Sequence, residues 1–231
     1  MFKKNNIGQS IGASLSEWKN CPVPPKQSIN GQYCKLEPLS ISEHSEQLFE
    51  AFVDDSDGHN WTYLAYGPFS DLSSFCDWLK DSCLKDDPQF QVIIDKTNNK
   101  ALGMASYLRI KPNVGVIEVG HIHYSNKMQR TRVATEAMYL MMARVFDDLG
   151  YRRYEWKCDA LNKKSCLAAL RFGFTFEGIF RQATIYKGRN RDTAWYSIID
   201  SEWPAIKKKY EFWLNPQNFD KTGKQLNSLI F

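Results

Sequence analysis

The chain has 231 residues, of which 43% are hydrophobic and 14% aromatic, and its formal net charge is +4. This composition supplies a folded core and excludes intrinsic disorder, which requires few aromatic residues and a high net charge. It also excludes collagen-like and low-complexity chains, because glycine numbers 13 and proline 9. The small positive excess does not indicate a nucleic-acid-binding protein.

The six cysteines and four histidines show no metal-binding spacing. No CxxC pair occurs, and the histidines do not join the cysteines at zinc-finger spacing, so we expect reduced thiols and no metal. Residues 1–15 contain two lysines but no apolar segment, and no run of about 18 apolar residues follows. We therefore expect a cytoplasmic protein without signal peptide or membrane span, and neither a membrane nor a nucleic acid as partner.

In the first half of the chain, the patterns predict an arm, two helices and a three-stranded meander. Residues 1–30 are rich in proline, serine and asparagine, which predicts an irregular arm. Apolar residues spaced three and four apart predict helices, and apolar runs bounded by polar turns predict strands. The elements in order are strand 33–38, helix 43–54, a packed aromatic loop 57–70, helix 71–84, and strands 89–95, 101–110 and 116–125.

The second half predicts a crossover followed by further strands. A helix over 134–149 ends at Gly150, and the elements after it are strand 152–159, helix 165–171, strands 174–179 and 194–199 around a loop at 187–192, and helix 202–213. A strand–helix–strand crossover makes strands 116–125 and 152–159 parallel neighbours. The pattern therefore predicts an α/β fold with a mixed sheet, in one domain over residues 31–213 followed by a C-terminal tail over 214–231.

The junction between strand 116–125 and the next helix has the residues of an anion site. A helix N terminus presents up to four N–H groups without partners, and with the helix dipole these suit a pyrophosphate. Arg130 and Arg132 add positive charge, and Thr131 and Thr135 add hydroxyl donors. The alternative is an ordinary first helical turn with two solvated arginines.

Four short motifs, taken together and in this order, resemble the GCN5-related N-acetyltransferase superfamily, especially its branch of ribosomal-protein N-terminal acetyltransferases. The family's cofactor motif, Gln/Arg-x-x-Gly-x-Gly/Ala, falls on residues 129–134, and residues 117–120 match the branch's Glu-Ile-Gly pattern. Residues 162–165 match its Asn-x-x-Ser, and residues 169–181 match the pattern that closes the domain. The resemblance covers about residues 30–205.

Arg132 departs from the cofactor motif, because the family has glycine there. That glycine lets the backbone approach the pyrophosphate closely. With a negative φ, the arginine can still donate from its backbone N–H, and its guanidinium can pair with a phosphate. The same side chain can also narrow the site.

The resemblance implies a mostly antiparallel sheet in which one parallel strand pair splays apart, flanked by helices, with acetyl-CoA as co-substrate. It implies that the backbone of Ile122, His123 and Tyr124 pairs with the pantetheine arm, and that Asn162 bonds the pantetheine or the phosphate end. The residues placed around the pyrophosphate are Gln129, Arg130, Thr131, Arg132, Val133, Ala134 and Thr135. The implied reaction is acetyl transfer to a primary amine by direct attack in a ternary complex, in a monomer or homodimer.

Ser165 matches the branch's helix serine and is predicted to give a proton to the departing CoA thiolate. The alternative is that Ser165 is a simple N-cap. Other branches use a tyrosine seven residues beyond Asn162. That position is Ala169 here, so a tyrosine acid would have to be Tyr186 or Tyr124.

Glu118 is predicted to be the general base, acting directly or through water. The alternative is a structural carboxylate that a neighbouring strand or an arginine satisfies. His121 and His123 share one strand face, and either could titrate near neutrality.

The acceptor is predicted to be a protein N terminus or a small amine. Trp61, Tyr63, Tyr66 and Phe69 either line its site or bury their own loop. A non-catalytic acyl-CoA-binding regulator is the competing interpretation that Arg132 suggests. A nucleic-acid module is a more distant one, and it predicts strongly salt-dependent binding.

Overall fold

The computed structural model describes residues 3–231, and its elements follow the predicted order. Residues 1 and 2 of the predicted arm lie outside the described range. The strands are β1 (Lys3–Lys4), β2 (Ser10–Ile11), β3 (Ile29–Asn30), β4 (Cys34–Pro38), β5 (Gln89–Asp95), β6 (Lys100–Lys111), β7 (Val116–Tyr124), β8 (Arg153–Asp159), β9 (Thr175–Tyr186) and β10 (Arg189–Ile199). The helices are α1 (Ile41–Val53), α2 (Leu72–Ser82), α3 (Arg132–Ala143), α4 (Lys163–Arg171) and α5 (Trp203–Leu214).

Eight strands form one sheet in the order β3-β4-β5-β6-β7-β8-β10-β9. Neighbouring strands are antiparallel except β7 and β8, which are parallel, as the crossover predicts. The parallel pairing joins residues 116–119 to residues 153–156 and ends there. The C-terminal parts of β7 and β8 are therefore not paired with each other, and the predicted mixed sheet with one splayed parallel pair is confirmed.

Strands β9 and β10 form a longer hairpin than the sequence predicts, with 12 and 11 residues. The segment 187–192 is not a loop, because the chain turns within two residues. Lys187 and Gly188 both have left-handed backbone, with φ of 47° and 69°, which matches the twist of a two-residue hairpin turn. Polar residues fill the strands beside the turn, so no alternation of apolar residues marks them as strands.

The helices cover the two faces of the sheet unequally. On one face, Tyr107 Oη of β6 donates to Met141 O of α3 at 3.2 Å, and Trp156 Nε1 of β8 donates to Ser165 Oγ of α4 at 3.0 Å. On the other face, α1 packs over β6 and against α2. Farther along that second face, toward β8 and β9, lies a row of charged side chains that belongs to the site described below.

Helix α3 ties the N-terminal arm to the sheet. The buried carboxylate of Glu136 accepts the backbone N–H groups of residues 32–34, each at 2.7 Å. Immediately after α3, Arg144 Nη1 donates to Gln27 O at 2.8 Å. The arm is therefore only partly irregular: it contains the short strands β1, β2 and β3.

The tail over residues 214–231 folds back on α5. Leu229 is buried, and the ring of Phe231 lies 5.5 Å from that of Tyr210. Within residues 3–231, no helix combines the length and the apolar character needed to span a lipid bilayer.

Candidate active site

A β-bulge in β7 lies where β7 and β8 stop pairing. Ser106 of β6 pairs with Gly120, whereas Met104 pairs with His123, so β7 carries one extra residue over this stretch. His121 lies within the bulge and has left-handed backbone, with φ of 49°. Bulges of this kind are common beside active sites, where they redirect side chains.

The bulge precedes the segment predicted to bind pantetheine. Pairing of β7 with β8 ends at Val119 and Trp156, so Ile122, His123 and Tyr124 have no β8 partner. The exposed edge of a strand is suited to pairing with an extended ligand that carries amide groups. The structure thus places these three residues on a stretch of β7 that is unpaired toward β8.

The N terminus of α3 presents three N–H groups without partners. Arg130 has left-handed backbone, with φ of 63°, and the N-cap residue Thr131 follows it. Thr131 Oγ1 accepts the N–H of Ala134 at 3.3 Å. The N–H groups of Arg130, Arg132 and Val133 donate to no atom of the described chain. Free donors at the positive end of a helix dipole fit phosphate oxygens.

The side chains of Gln129, Thr131 and Thr135 already form hydrogen bonds within the protein. This corrects the expectation that the two threonine hydroxyls donate to phosphate. The Thr131 hydroxyl donates to a carbonyl of its own loop at 2.7 Å. The Thr135 hydroxyl donates to Thr131 O at 3.3 Å and accepts from Arg171 Nη1 at 3.2 Å. The Gln129 amide donates to Asn60 Oδ1 at 3.0 Å and so holds the aromatic loop in place. An anion here would therefore bond mainly to backbone N–H groups.

Arg132 occupies the glycine position without its side chain entering the anion site. It is the first residue of α3 and has helical backbone, which leaves its N–H free to donate. Its guanidinium carbon lies 4.5 Å from the ring centroid of Tyr33 and 5.6 Å from that of Phe219. Of the alternatives that the sequence left open, donation from the backbone agrees with the structure, and narrowing of the site does not.

Helix α4 begins earlier than predicted, and its N-cap is Asn162 rather than Ser165. Asn162 Oδ1 accepts the N–H of Ser165 at 3.1 Å, so the hypothesis that Ser165 is the cap is wrong. The Ser165 hydroxyl accepts a hydrogen bond from Trp156 Nε1 at 3.0 Å. Because a hydroxyl has a single proton and this contact uses a lone pair, Trp156 leaves that proton free, and the Cys158 thiol is the neighbouring group that the hydroxyl can also reach.

Glu118 is buried, with 3% of its surface exposed, and cations bind both of its carboxylate oxygens. Arg109 Nη1 lies 2.7 Å from Oε1, and Lys157 Nζ lies 2.7 Å from Oε2. Burial raises the pKa of the carboxyl, and the charges of Lys157 and Arg109 oppose that rise. The two ion pairs fix the carboxylate in place, which agrees with the structural role, and each oxygen keeps a lone pair that could accept a proton.

Lys157 begins a row of charges that sequence reasoning missed. Lys157 Nζ also contacts Glu155 at 2.7 Å, Glu155 contacts Arg153 at 2.7 Å, and Arg153 pairs with Glu177. Lys157 Nζ lies 3.8 Å above the ring of Trp195. The available signal was charge at alternate positions of β8, a strand whose remaining positions are aromatic or apolar. Such alternation indicates one face packed on the core and one face turned to a polar site.

The structure contradicts the prediction that a histidine titrates near neutrality. Burial lowers the pKa of His123 to about 3. Burial and the nearby charge of Arg109 lower the pKa of His121 to about 4. The His123 ring packs against Phe52 and Trp61, with centroid distances of 4.1 and 3.9 Å. Both imidazoles are therefore neutral at pH 7.

The aromatic loop is partly core and partly a bridge over the diverging strands. Trp61 is buried, which agrees with the interpretation that the loop buries itself. Tyr63 Oη donates to Leu161 O at 3.1 Å, and Lys187 Nζ donates to Trp61 O at 2.9 Å. These bonds connect the loop to the β8–α4 turn and to the β9–β10 turn.

Glu37, Glu43 and His44 form a cluster whose ligand atoms lie within 4.8 Å of one another. We assign no metal to it, because the imidazole already has two partners. Ser40 N donates to His44 Nδ1 at 3.1 Å, and His44 Nε2 lies 3.0 Å from Glu37 Oε2.

Comparison with known proteins identifies the family. The acetyltransferase (GNAT) domain family matches residues 35–175. A GCN5-related N-acetyltransferase from Brucella melitensis is 46% identical, with a TM-score of 0.91 over 93% of this chain and 97% of that chain. A probable acetyltransferase (GNAT family) from Chromobacterium violaceum is 40% identical, with a TM-score of 0.79 over 85% and 98%. No curated protein matches the chain.

A more distant structure shares the fold alone. The microcin C7 self-immunity acetyltransferase MccE, solved in complex with acetyl-CoA and AMP, is 23% identical, with a TM-score of 0.64 over 73% of this chain and 93% of that chain. The family match includes both the diverging strands and the N terminus of α3. The chain belongs to the GNAT acetyltransferase family and is an acetyl-CoA-dependent acetyltransferase.

Proposed function

We propose that the protein transfers the acetyl group of acetyl-CoA to a primary amine by direct attack within a ternary complex. One observation carries this proposal: β7 loses its parallel partner just before the chain reaches three unpaired N–H groups at the start of α3. An unpaired strand edge next to an anion site suits a ligand whose amide-bearing arm is attached to a pyrophosphate.

The residues proposed to hold acetyl-CoA fall into two groups. The backbone of Ile122, His123 and Tyr124 would pair with the pantetheine arm, and the Asn162 side chain would bond the same arm through its amide N–H. The loop proposed to surround the pyrophosphate, mainly through its backbone, consists of Gln129, Arg130, Thr131, Arg132, Val133, Ala134 and Thr135.

The reaction needs a free amine, a donor for the developing oxyanion and a proton for the thiolate. The amine nitrogen forms a C–N bond to the thioester carbon while the carbonyl oxygen gains negative charge. We propose that N–H groups of β7 beside the bulge donate to that oxygen. As the C–S bond breaks, the Ser165 hydroxyl would give its proton to the sulfur, and the proton released by the amine nitrogen would return to the serine oxygen through water.

Glu118 is proposed to fix Arg109 and Lys157 in the cleft, with the amine proton leaving through water. Both carboxylate oxygens hold cations in the structure, which supports this role over direct proton abstraction. The prediction that Glu118 is the base remains open to the experiment described in the Discussion.

The proposed acceptor approaches from the sheet face that carries Glu118 and Lys157, because α3 and α4 cover the opposite face. A protein N terminus is one candidate acceptor and a small amine is the other. The ribosomal-protein branch, the cytoplasmic location and the monomeric or homodimeric state remain predictions.

The test combines equilibrium binding of acetyl-CoA with release of free CoA thiol over a panel of acceptors. The panel contains a peptide with a free N terminus, the same peptide with its N terminus acetylated, and small primary amines. We expect binding of acetyl-CoA, and CoA release only with free amines. Binding without release on any amine would favour a regulator and refute the proposed reaction.

A further inference from the structure

Two residues with left-handed backbone flank Glu118. Arg109 in β6 has φ of 48°, and His121 in β7 has φ of 49°. Each lies at a register shift of the β6–β7 pairing. Such backbone is strained for residues other than glycine and persists where the surrounding structure holds it, often at functional sites. The strained backbone therefore directs attention to the side chains of Arg109 and His121 as candidate functional groups.

The His121 ring is held in one orientation. Its Nδ1 lies 3.0 Å from Tyr66 Oη, and the two rings are nearly parallel at 5.7 Å. Phe90 packs on the imidazole at 5.2 Å. Burial raises the pKa of Tyr66, so the phenol keeps its proton and can donate it to Nδ1. We assign that phenol proton to the bond with Nδ1, and this assignment puts the imidazole proton on Nε2 and makes Nε2–H a neutral donor.

The free hydrogen-bonding groups at this point are donors. His121 Nε2 bonds to no described residue and is not enclosed, unlike both nitrogens of His123. Arg109 is close enough for its charge to lower the pKa of His121. The Arg109 side chain is 56% exposed, and its bond to Glu118 uses Nη1 alone. Since the bond to Glu118 leaves the other guanidinium N–H groups of Arg109 free, an oxygen from a ligand is the complementary partner for these donors.

We propose that His121 and Arg109 bind an oxygen of the acceptor, which makes the acceptor an amine with a carbonyl or carboxylate oxygen near its nitrogen. An amino acid, an amino-acid amide and a peptide N terminus all have this chemistry. The inference rests on the proposed function, and it adds a specificity-determining role for two residues that the cofactor does not use. Tyr66 acts through His121 and is a positioning residue.

The experiment measures kcat/KM for three amines: glycinamide, glycine and propylamine. Glycinamide carries a carbonyl, glycine carries a carboxylate, and propylamine carries no oxygen. Each is assayed with the wild type and with His121→Leu, Tyr66→Phe and His121→Gln. We compare the ratio of each oxygen-bearing amine to propylamine between enzymes, so differences in amine basicity cancel.

We expect the glycinamide-to-propylamine ratio to fall about tenfold in His121→Leu, as for loss of one substrate hydrogen bond. Tyr66→Phe should lower it less, because the ring packing remains, and His121→Gln should restore part of it through its amide N–H. His59→Leu is the control, since that ring is exposed on the loop before Trp61 and should leave the ratio unchanged. A preference for glycine over glycinamide would identify a carboxylate as the oxygen.

A wild-type ratio that His121→Leu leaves unchanged would overturn the inference, and so would acetylation of propylamine with no turnover of either oxygen-bearing amine. A purely structural loss would lower all three activities equally and would also count against it. Failure of the proposed function looks different, since no amine would then release CoA from the wild type.

Discussion

Replacing Glu118 with glutamine separates a structural carboxylate from a general base. The carboxylate is 3% exposed and bonds Arg109 and Lys157 at 2.7 Å each. Removing one partner of a fully buried ion pair costs about 3–5 kcal/mol, because the other charge is left uncompensated. Here the loss is smaller, since Lys157 keeps Glu155 and the ring of Trp195. Arg109 is more than half exposed, so water replaces its lost partner.

We therefore expect Glu118→Gln to lower the free energy of unfolding by about 2 kcal/mol. Urea denaturation at pH 7 measures this loss, and circular dichroism checks the fold. The matched variants are Lys157→Met and the double variant. If the pair is structural, the double variant should be more stable than the sum of the two single losses predicts, because neither charge is then left alone.

The activity of Glu118→Gln distinguishes a structural carboxylate from a general base. A structural carboxylate predicts that kcat falls together with stability and recovers in part in the double variant. A general base predicts a loss of about 100-fold or more in kcat with little change in stability. That second outcome, or additive losses in the double variant, would refute the structural assignment.

Three further predictions concern the cofactor loop, the acid and the buried histidine. Arg130→Glu combined with Thr131→Glu should abolish acetyl-CoA binding by placing negative charge beside the phosphates, and calorimetry measures this. The charge-matched control is Arg189→Glu combined with Asn190→Glu on the exposed hairpin. Ser165→Ala should lower kcat at least tenfold and leave the Kd of acetyl-CoA unchanged, and full activity would remove the serine from the mechanism. Burial lowers the pKa of His123 from 6.5 to about 3, so between these pH values the unfolded chain binds a proton that the folded chain does not. The contribution of His123 to stability should therefore fall by about 1.4 kcal/mol for each unit that the pH is lowered within that window, and the loss of stability from pH 7 to pH 5 should be smaller in His123→Phe.

The order of elements was predictable because it depends on local patterns. The meander β5–β7 has polar turns between apolar runs, and the β7–α3–β8 crossover requires parallel neighbours. The β9–β10 hairpin was underestimated because its outer residues are polar, so hydrophobic periodicity contains no signal there. The start of α4 was misplaced because Asn162 caps the helix from outside its apolar pattern.

The residues of the anion site were predictable in position but not in role. The motif placed residues 129–134 at the helix start, where the structure has them. It did not reveal that Thr131 and Thr135 bond within the protein, nor that the Arg132 guanidinium lies over Tyr33. The partners of the Arg132 guanidinium are Tyr33, just before β4, and Phe219 in the tail, and α4 contributes Arg171 to Thr135; all three lie far away in the chain. A local motif therefore indicates where the backbone donates but not where long side chains point.

The single extra residue of the β7 bulge decides which side chains lie on the sheet face from which the acceptor is proposed to approach. In a regular strand, successive side chains alternate, so Glu118 would face one side of the sheet and His121 and His123 the other. Because of the bulge, Glu118 pairs opposite Leu108 while His123 pairs opposite Met104, and these two β6 residues share a face. His121 packs on Phe90, which pairs opposite Ser106 of the same face. A bulge is set by backbone conformation at a non-glycine residue, which has no sequence signature. The sequence could therefore propose the carboxylate and the histidines separately, whereas their meeting on one face is a property of the folded sheet.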